Sequence, residues 1–157
     1  MGKKVVTDLP RHKPKSTKKS LHLSLPVPPS VNAMYYNTRG GGRRLTSKAE
    51  NYVRDARALI NLEIDEQKWL KQPNGVWLYA DMVFYFPDRR RRDSHNTLKI
   101  LLDTLQGYVY VDDMYLLPRI QSVEYDKLNP RVELTVTSQT QNQRDKGIKT
   151  THIINNS

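Results

Sequence analysis

The residue types that could do chemistry crowd into one stretch, Pro87 to Leu117. Arg89, Arg90, Arg91 and Arg92 run directly into Asp93, His95 and Asn96; Lys99 and Asp103 follow, and the pair Asp112 and Asp113 closes the stretch. Carboxylates suit a hard divalent cation, which wants oxygen ligands, while guanidinium forks match phosphate oxygens. Together they describe metal-assisted chemistry on a phosphodiester. Each residue also has an ordinary role. An arginine run can be a solvated or nucleic-acid-attracting surface, Asp93 a helix N-cap, the acidic pair turn residues, and His95 a surface or capping histidine. The conjunction within so short a span is what singles the stretch out, and local chemistry alone leaves a catalytic centre and a binding surface both open.

The elements that must position these groups are legible around them. Asn96, Lys99 and Asp103 recur at i, i+3 and i+7 and so share one face of a helix. Leu98, Ile100, Leu101, Leu102 and Leu105 supply its apolar side. Gly107 ends it, and a short strand-like run, Tyr108 to Val111, delivers Asp112 and Asp113. Folding back after the helix can bring these carboxylates beside Asp93. Upstream, Val76 to Phe86 alternates as a strand, with Val76, Leu78, Ala80, Met82, Phe84 and Phe86 on one face. Pro87 ends that strand, so the arginine run emerges at a strand-to-helix junction, a good place for phosphate contacts.

Earlier in the chain, Leu21, Leu23 and Leu25 alternate with His22 and Ser24 as a half-buried strand ended by Pro26, Pro28 and Pro29. Gly40 to Gly42 then form a tip between Arg39 and the Arg43-Arg44 pair, close to Tyr35 and Tyr36. This reads as a mobile loop that orders on a nucleic-acid backbone, or as a plain connector; no Walker pattern is present. Ser47 and Glu50 fit a capping box opening a helix over Lys48 to Trp69. Its apolar stripe is Tyr52, Val53, Ala56, Leu59, Ile60 and Ile64, with Lys48, Arg54 and Arg57 facing elsewhere. Pro73-Asn74-Gly75 is a turn. Leu116 to Tyr125 and Arg131 to Thr137 read as two further strands joined by a turn at Asn129-Pro130. The order predicts a single α+β domain, a mixed β-sheet with two main helices packed on one face.

Composition narrows the partners. The chain has 157 residues, a formal net charge of +10 and no cysteine. The charge favours a polyanion, nucleic acid before membrane surface; the lack of cysteine excludes disulfides, zinc-thiolate sites and cysteine nucleophiles. No apolar run approaches a membrane span and no secretory signal is seen, so a soluble protein of the cytoplasm is expected, with no membrane partner. Much of the positive charge lies in residues 1–20, which read as a disordered basic arm able to add salt-dependent affinity for DNA. Residues 138–157 read as a polar, disordered tail, leaving 21–137 as the folded domain.

On these residues the chain resembles the RusA family of Holliday-junction resolvases, the crossover-junction endodeoxyribonucleases of phages and prophages. Four segments match in order: Leu25-Pro26 with Pro28-Pro29-Ser30, Asn32 and Tyr35-Tyr36; the Arg-Gly loop leading to Ser47, Ala49, Tyr52 and Arg54-Asp55; the block from Pro87 to Asp103; and Val111-Asp112-Asp113. The resemblance covers about Leu21 to Thr137 and implies an α+β homodimer that binds four-way DNA junctions and, with Mg²⁺, cuts two strands symmetrically in a bacterial cytoplasm. Two-fold symmetry of a dimer would present two equivalent sites to such a junction. It further implies that Asp93, His95 and Asp113 occupy the catalytic carboxylate positions, with Lys99 stabilising charge on the phosphate. Asp93 and Asp113 would hold the metal; Asn96, Asp103 and Asp112 would support them, and Arg89 to Arg92, with Arg39, Arg43 and Arg44, would hold the DNA backbone.

His95 departs from the family, which usually has Asp there. Imidazole suits Mn²⁺ better than Mg²⁺ and removes one negative charge. Three outcomes follow: Mg²⁺ chemistry with Asp112 or Asp103 filling in, a preference for Mn²⁺ or use of His95 as general base, or junction binding without cutting. The alternative to a nuclease is thus a non-cleaving, structure-selective DNA-binding protein of the same fold. An RNA-binding protein of basic composition explains the arm but not the acidic cluster.

Overall fold

A computed structural model of the protein describes residues 20–138. The basic arm and polar tail expected from the sequence lie outside the described residues. Strand β1 (Ser20–Leu25) buries Leu21, Leu23 and Leu25, as its alternation requires. It pairs antiparallel with β6 (Arg131–Ser138), which sets Leu23 opposite Leu134 and Leu21 opposite Val136. Strand β4 (Leu78–Phe86) lies on the other side of β6, antiparallel to it, and pairs in parallel with β5 (Leu116–Tyr125). The sheet order is therefore β1-β6-β4-β5, a mixed sheet. The 126–130 turn between β5 and β6 must pass β4, and the Asp126 N–H donates to the Phe86 carbonyl on the way, at 2.8 Å.

Every second residue of β4 is buried, from Leu78 to Phe86. Those side chains share one core with Ala49, Tyr52, Ala56 and Ile60 of α1 (Ser47–Gln67) and Ile100, Leu101 and Leu105 of α2 (His95–Leu105). One face of the sheet is thus covered by the two helices, and the α+β architecture follows. Tyr79, Asp81, Val83 and Tyr85, on the opposite face of β4, are half-buried. There Arg119 forms a two-pronged ion pair with Asp81, at 2.6 and 2.8 Å, while lying over the Tyr79 ring.

Local chemistry differs from the sequence reading at three places. The residue that caps α1 is Thr46, not Ser47: its hydroxyl accepts the Ala49 N–H at 3.3 Å and donates to the Ala33 carbonyl at 2.7 Å. Thr46 has the extended backbone that an N-cap needs, so Ser47 begins the helix and Glu50 lies one position too far for a capping box. The helix ends at Gln67 because Lys68 turns left-handed, φ 57°, which leaves Trp69 free to donate its indole N–H to the Val109 carbonyl at 3.0 Å. The glycine-rich segment is a small hairpin of β2 (Tyr35–Asn37) and β3 (Arg43–Leu45), not a structureless loop. Thr38 closes it by exchanging hydrogen bonds with Gly42, and Gly41 supplies the positive φ of 83° that the turn demands. The strand-like run at Tyr108 to Val111 adds no strand to the sheet. Val109 and Tyr110 are buried, and Tyr110 forms isolated bridges to Gln72 and Gln106. Among the described residues no helix is long and apolar enough to cross a membrane.

Candidate active site

The segment between β4 and α2 is arranged by Asp88, a residue absent from the sequence reading of the site. Its Oδ1 accepts the Arg90 N–H at 3.0 Å and the Arg92 guanidinium at 2.5 Å. These bonds, Arg92 first, hold the Asp88 carboxyl down to about 2. Arg92 also donates to the Asp88 carbonyl and lies over the Phe86 ring, while Arg89 lies over Tyr125 at 5.0 Å. The four arginines therefore divide: Arg89 and Arg92 are held against the fold, Arg90 points to solvent with 85% of its side chain exposed, and Arg91 faces a cleft.

Asp93 ends the run as the residue before the α2 N-cap, Ser94, whose own side chain makes no capping bond. Asp93 Oδ1 takes over, accepting the His95 N–H at 2.9 Å. The same oxygen meets His95 Nδ1 at 3.3 Å, so imidazole and carboxylate stand together over the first turn of α2. One turn on, Lys99 approaches Asp103 at 3.5 Å. The charges of Asp103 and Asp113 both act on the Tyr110 hydroxyl, which donates to the Leu102 carbonyl at 2.7 Å. Burial first, then Asp113 and Asp103, raise the Tyr110 pKa well above the ordinary tyrosine value. The second acidic cluster is thus folded back toward α2 near Asp103, but among the described residues it does not gather with Asp93 and His95 closely enough to hold a metal ion, the meeting that the sequence left possible. Asp112 is a turn residue in part: it caps a single 3-10 turn, Asp113–Tyr115, by accepting the Met114 N–H at 3.0 Å.

Asp93, Asn96, Arg91 and Arg92 line a cleft of about 820 Å³ whose far walls are residues 26–30 and the start of α1. Lys48 and Ser30 line it too. The sequence placed Lys48 only off the apolar stripe of α1 and gave it no role. A cation in the first turn of a helix, where the macrodipole opposes it, was the available signal that an anion belongs nearby. Arg39, Arg43 and Arg44 lie on or beside the β2–β3 hairpin, all exposed, with Arg43 over the Tyr35 ring at 5.2 Å. The site residues thus fall into two groups on α2. Asp93, His95 and Asn96 stand at its start beside the cleft; Lys99 and Asp103, with Asp113 nearby, stand farther along. Among the described residues no three Asp, Glu or His side chains are gathered closely enough to hold a metal ion. The donors themselves, carboxylate oxygens with one imidazole, suit a divalent cation such as Mg²⁺ or Mn²⁺.

A family model described as endodeoxyribonuclease RusA matches residues 26–137. This chain belongs to the RusA family. The matched span contains the cleft, the hairpin, α2 and the acidic pair, and it makes the protein a nuclease by family. Among curated proteins, a crossover junction endodeoxyribonuclease rusA of Enterobacteria phage HK97 is 36% identical over 90 residues, which is 57% of this chain and 69% of the phage protein. Within the RusA frame, Asp88 and Lys48 are the residues that the structure adds to those picked out by motif.

Proposed function

We propose that this RusA-family protein is a divalent-metal-dependent endonuclease that binds four-way DNA junctions as a homodimer and resolves them by paired symmetric nicks during recombination and repair. The observation that carries the reading is the Asp93 carboxylate, lying at the mouth of a cleft that also presents Arg91, Arg92 and Asn96. Guanidinium groups bind a phosphodiester, and a neighbouring carboxylate can hold a metal ion that activates the attacking water. Asp93 and Asp113, with His95 and Asp112, would hold the ion, which would supply an acidified water and neutralise charge on the scissile phosphate. Lys99 answers charge on the phosphate oxygens. Asn96 and Asp103 orient the ligands, and Arg39, Arg43 and Arg44 extend the backbone contacts. Mg²⁺ is the ion for the carboxylates, and His95 brings Mn²⁺ within the site's range.

A second reading, junction binding without cutting, is favoured by two observations: among the described residues no three acidic or histidine side chains gather closely enough to hold a metal ion, and Asp93 Oδ1 is already engaged by the backbone and ring of His95, where the family usually has a carboxylate. Incubating the protein with a synthetic four-way junction and with linear duplex, in Mg²⁺ and in Mn²⁺, separates the two. Paired nicks confined to the junction support the resolvase. Junction binding with no nicks in either metal supports the second reading.

A further inference from the structure

The cleft beside Asp93 carries a cation that motif matching does not assign. Lys48 is exposed, lies in the first turn of α1, and its ammonium forms no ion pair or hydrogen bond among the described residues. It lines the cleft together with Arg91, whose guanidinium is likewise without a partner there. Asp93 is the one carboxylate among the lining side chains, so the cations outnumber it and are joined by the positive end of α1. An unpaired lysine against a helix dipole costs free energy that an anionic ligand would recover. Beside the polar Ser30, Asn96 and Thr97, the lining has an apolar part in which consecutive Val27, Pro28 and Pro29 form a shelf, joined by Tyr52 and Phe86. Tyr52 fixes that shelf by donating its hydroxyl to the Pro26 carbonyl at 3.0 Å. A volume of about 820 Å³ with a cationic rim and an apolar shelf is the size and chemistry of a site for one nucleotide, with phosphate at the rim and sugar or base on the shelf.

We propose that this cleft receives a single unstacked nucleotide at the branch point of its DNA substrate, with the phosphate held by Lys48 and Arg91 and the base on the Val27–Pro29 shelf. The inference rests on the junction-nuclease reading for its substrate, because a branch point releases an unstacked nucleotide at lower cost than continuous duplex does. It makes Lys48 a binding residue that brings the phosphodiester to Asp93.

The test combines two binding measurements on the full chain, using wild type, Lys48→Ala and Lys48→Arg. The first follows a four-way junction carrying 2-aminopurine at the branch point, whose fluorescence rises when the base unstacks. The second is a salt titration of binding to a short single-stranded oligothymidylate. Wild type should brighten the junction probe and Lys48→Ala should not. On the oligonucleotide, Lys48→Ala should lower the slope of log K against log salt by about 0.7, the value for one lost phosphate contact on a single strand, and Lys48→Arg should keep it. An unchanged slope in Lys48→Ala, or a wild-type complex that leaves 2-aminopurine stacked, overturns the proposal. Equal wild-type binding to junction and linear duplex would instead defeat the junction reading, while the oligonucleotide titration still decides for or against Lys48.

Discussion

The backbone N–H and the ring Nδ1 of His95 both address one oxygen of Asp93, at 2.9 and 3.3 Å. The first contact belongs to any residue at position 95, since it comes from the main chain. The second belongs to histidine. The carboxylate is therefore aimed by the turn that starts α2, while its company is set by a single side chain.

Asp93→Asn separates these roles. The amide oxygen can still accept the His95 N–H, so fold and junction binding should persist. A metal ligand is lost, and cutting should fall by about 100-fold or more, since even the partners that merely orient a ligand cost about 10- to 100-fold when removed. Nicking assays beside gel-shift titrations check this; a wild-type cutting rate would remove Asp93 from the mechanism.

His95→Asp restores the carboxylate usual in the family. Rates supported by Mg²⁺ should rise relative to those supported by Mn²⁺, by about 10-fold, because the site regains a hard oxygen ligand and one negative charge. A Mg²⁺ to Mn²⁺ rate ratio equal to that of wild type would show that position 95 does not touch the ion.

Alkaline pH should loosen the fold through two tyrosines. Tyr52 and Tyr110 are held protonated by burial, their pKa values raised well above 10. In the unfolded chain both ionise near the ordinary value of about 10. Their contribution is thus complete below pH 10 and is lost as pH rises beyond it, by about 1.4 kcal/mol per pH unit for each tyrosine. Chemical denaturation between pH 8 and 11, with tyrosinate absorbance followed in parallel, gives the slope. Ionisation of both residues before unfolding would contradict their buried positions.

The helix cap gives a sharper contrast. Thr46→Ala should cost about 1 kcal/mol of stability, because it removes the acceptor of the Ala49 N–H and the hydroxyl bond to Ala33. Ser47→Ala, one residue on, should cost little. Equal losses in urea midpoints would mean that the cap is shared.

Residues 46 and 47 also show what a sequence can and cannot disclose. Thr46 and Ser47 are both capping types, and choosing between them requires knowing which has extended backbone; that is set by Thr46 reaching Ala33 across the chain. The alternating strands were legible because Leu21, Leu23 and Leu25, or the even residues of β4, need only local periodicity to declare their buried side. Helix α2 was legible for the same reason, and with it the shared face of Asn96, Lys99 and Asp103. Lys48 was not. It meets Asp93 and Arg91 in one cleft only because β1 pairs with β6 and α1 packs on β1, contacts far apart in the chain. Asp88 escaped although its bonds have ordinary spacings, i+2 to the Arg90 N–H and i+4 to Arg92, because four successive arginines left open which of them it would hold. The hairpin that pairs Arg43 with Asn37 and Arg44 with Tyr36 was hidden behind three glycines that read as a loose tip.

The strand order β1-β6-β4-β5 places the last strand of the domain in the interior of the sheet. Until residues 131–138 have been synthesised and have slipped between β1 and β4, the first strand has nothing to pair with and the wall at residues 26–30 has no fixed place opposite Asp93. A growing or prematurely ended chain consequently carries all the acidic and basic groups of a nuclease without the cleft that brings them together.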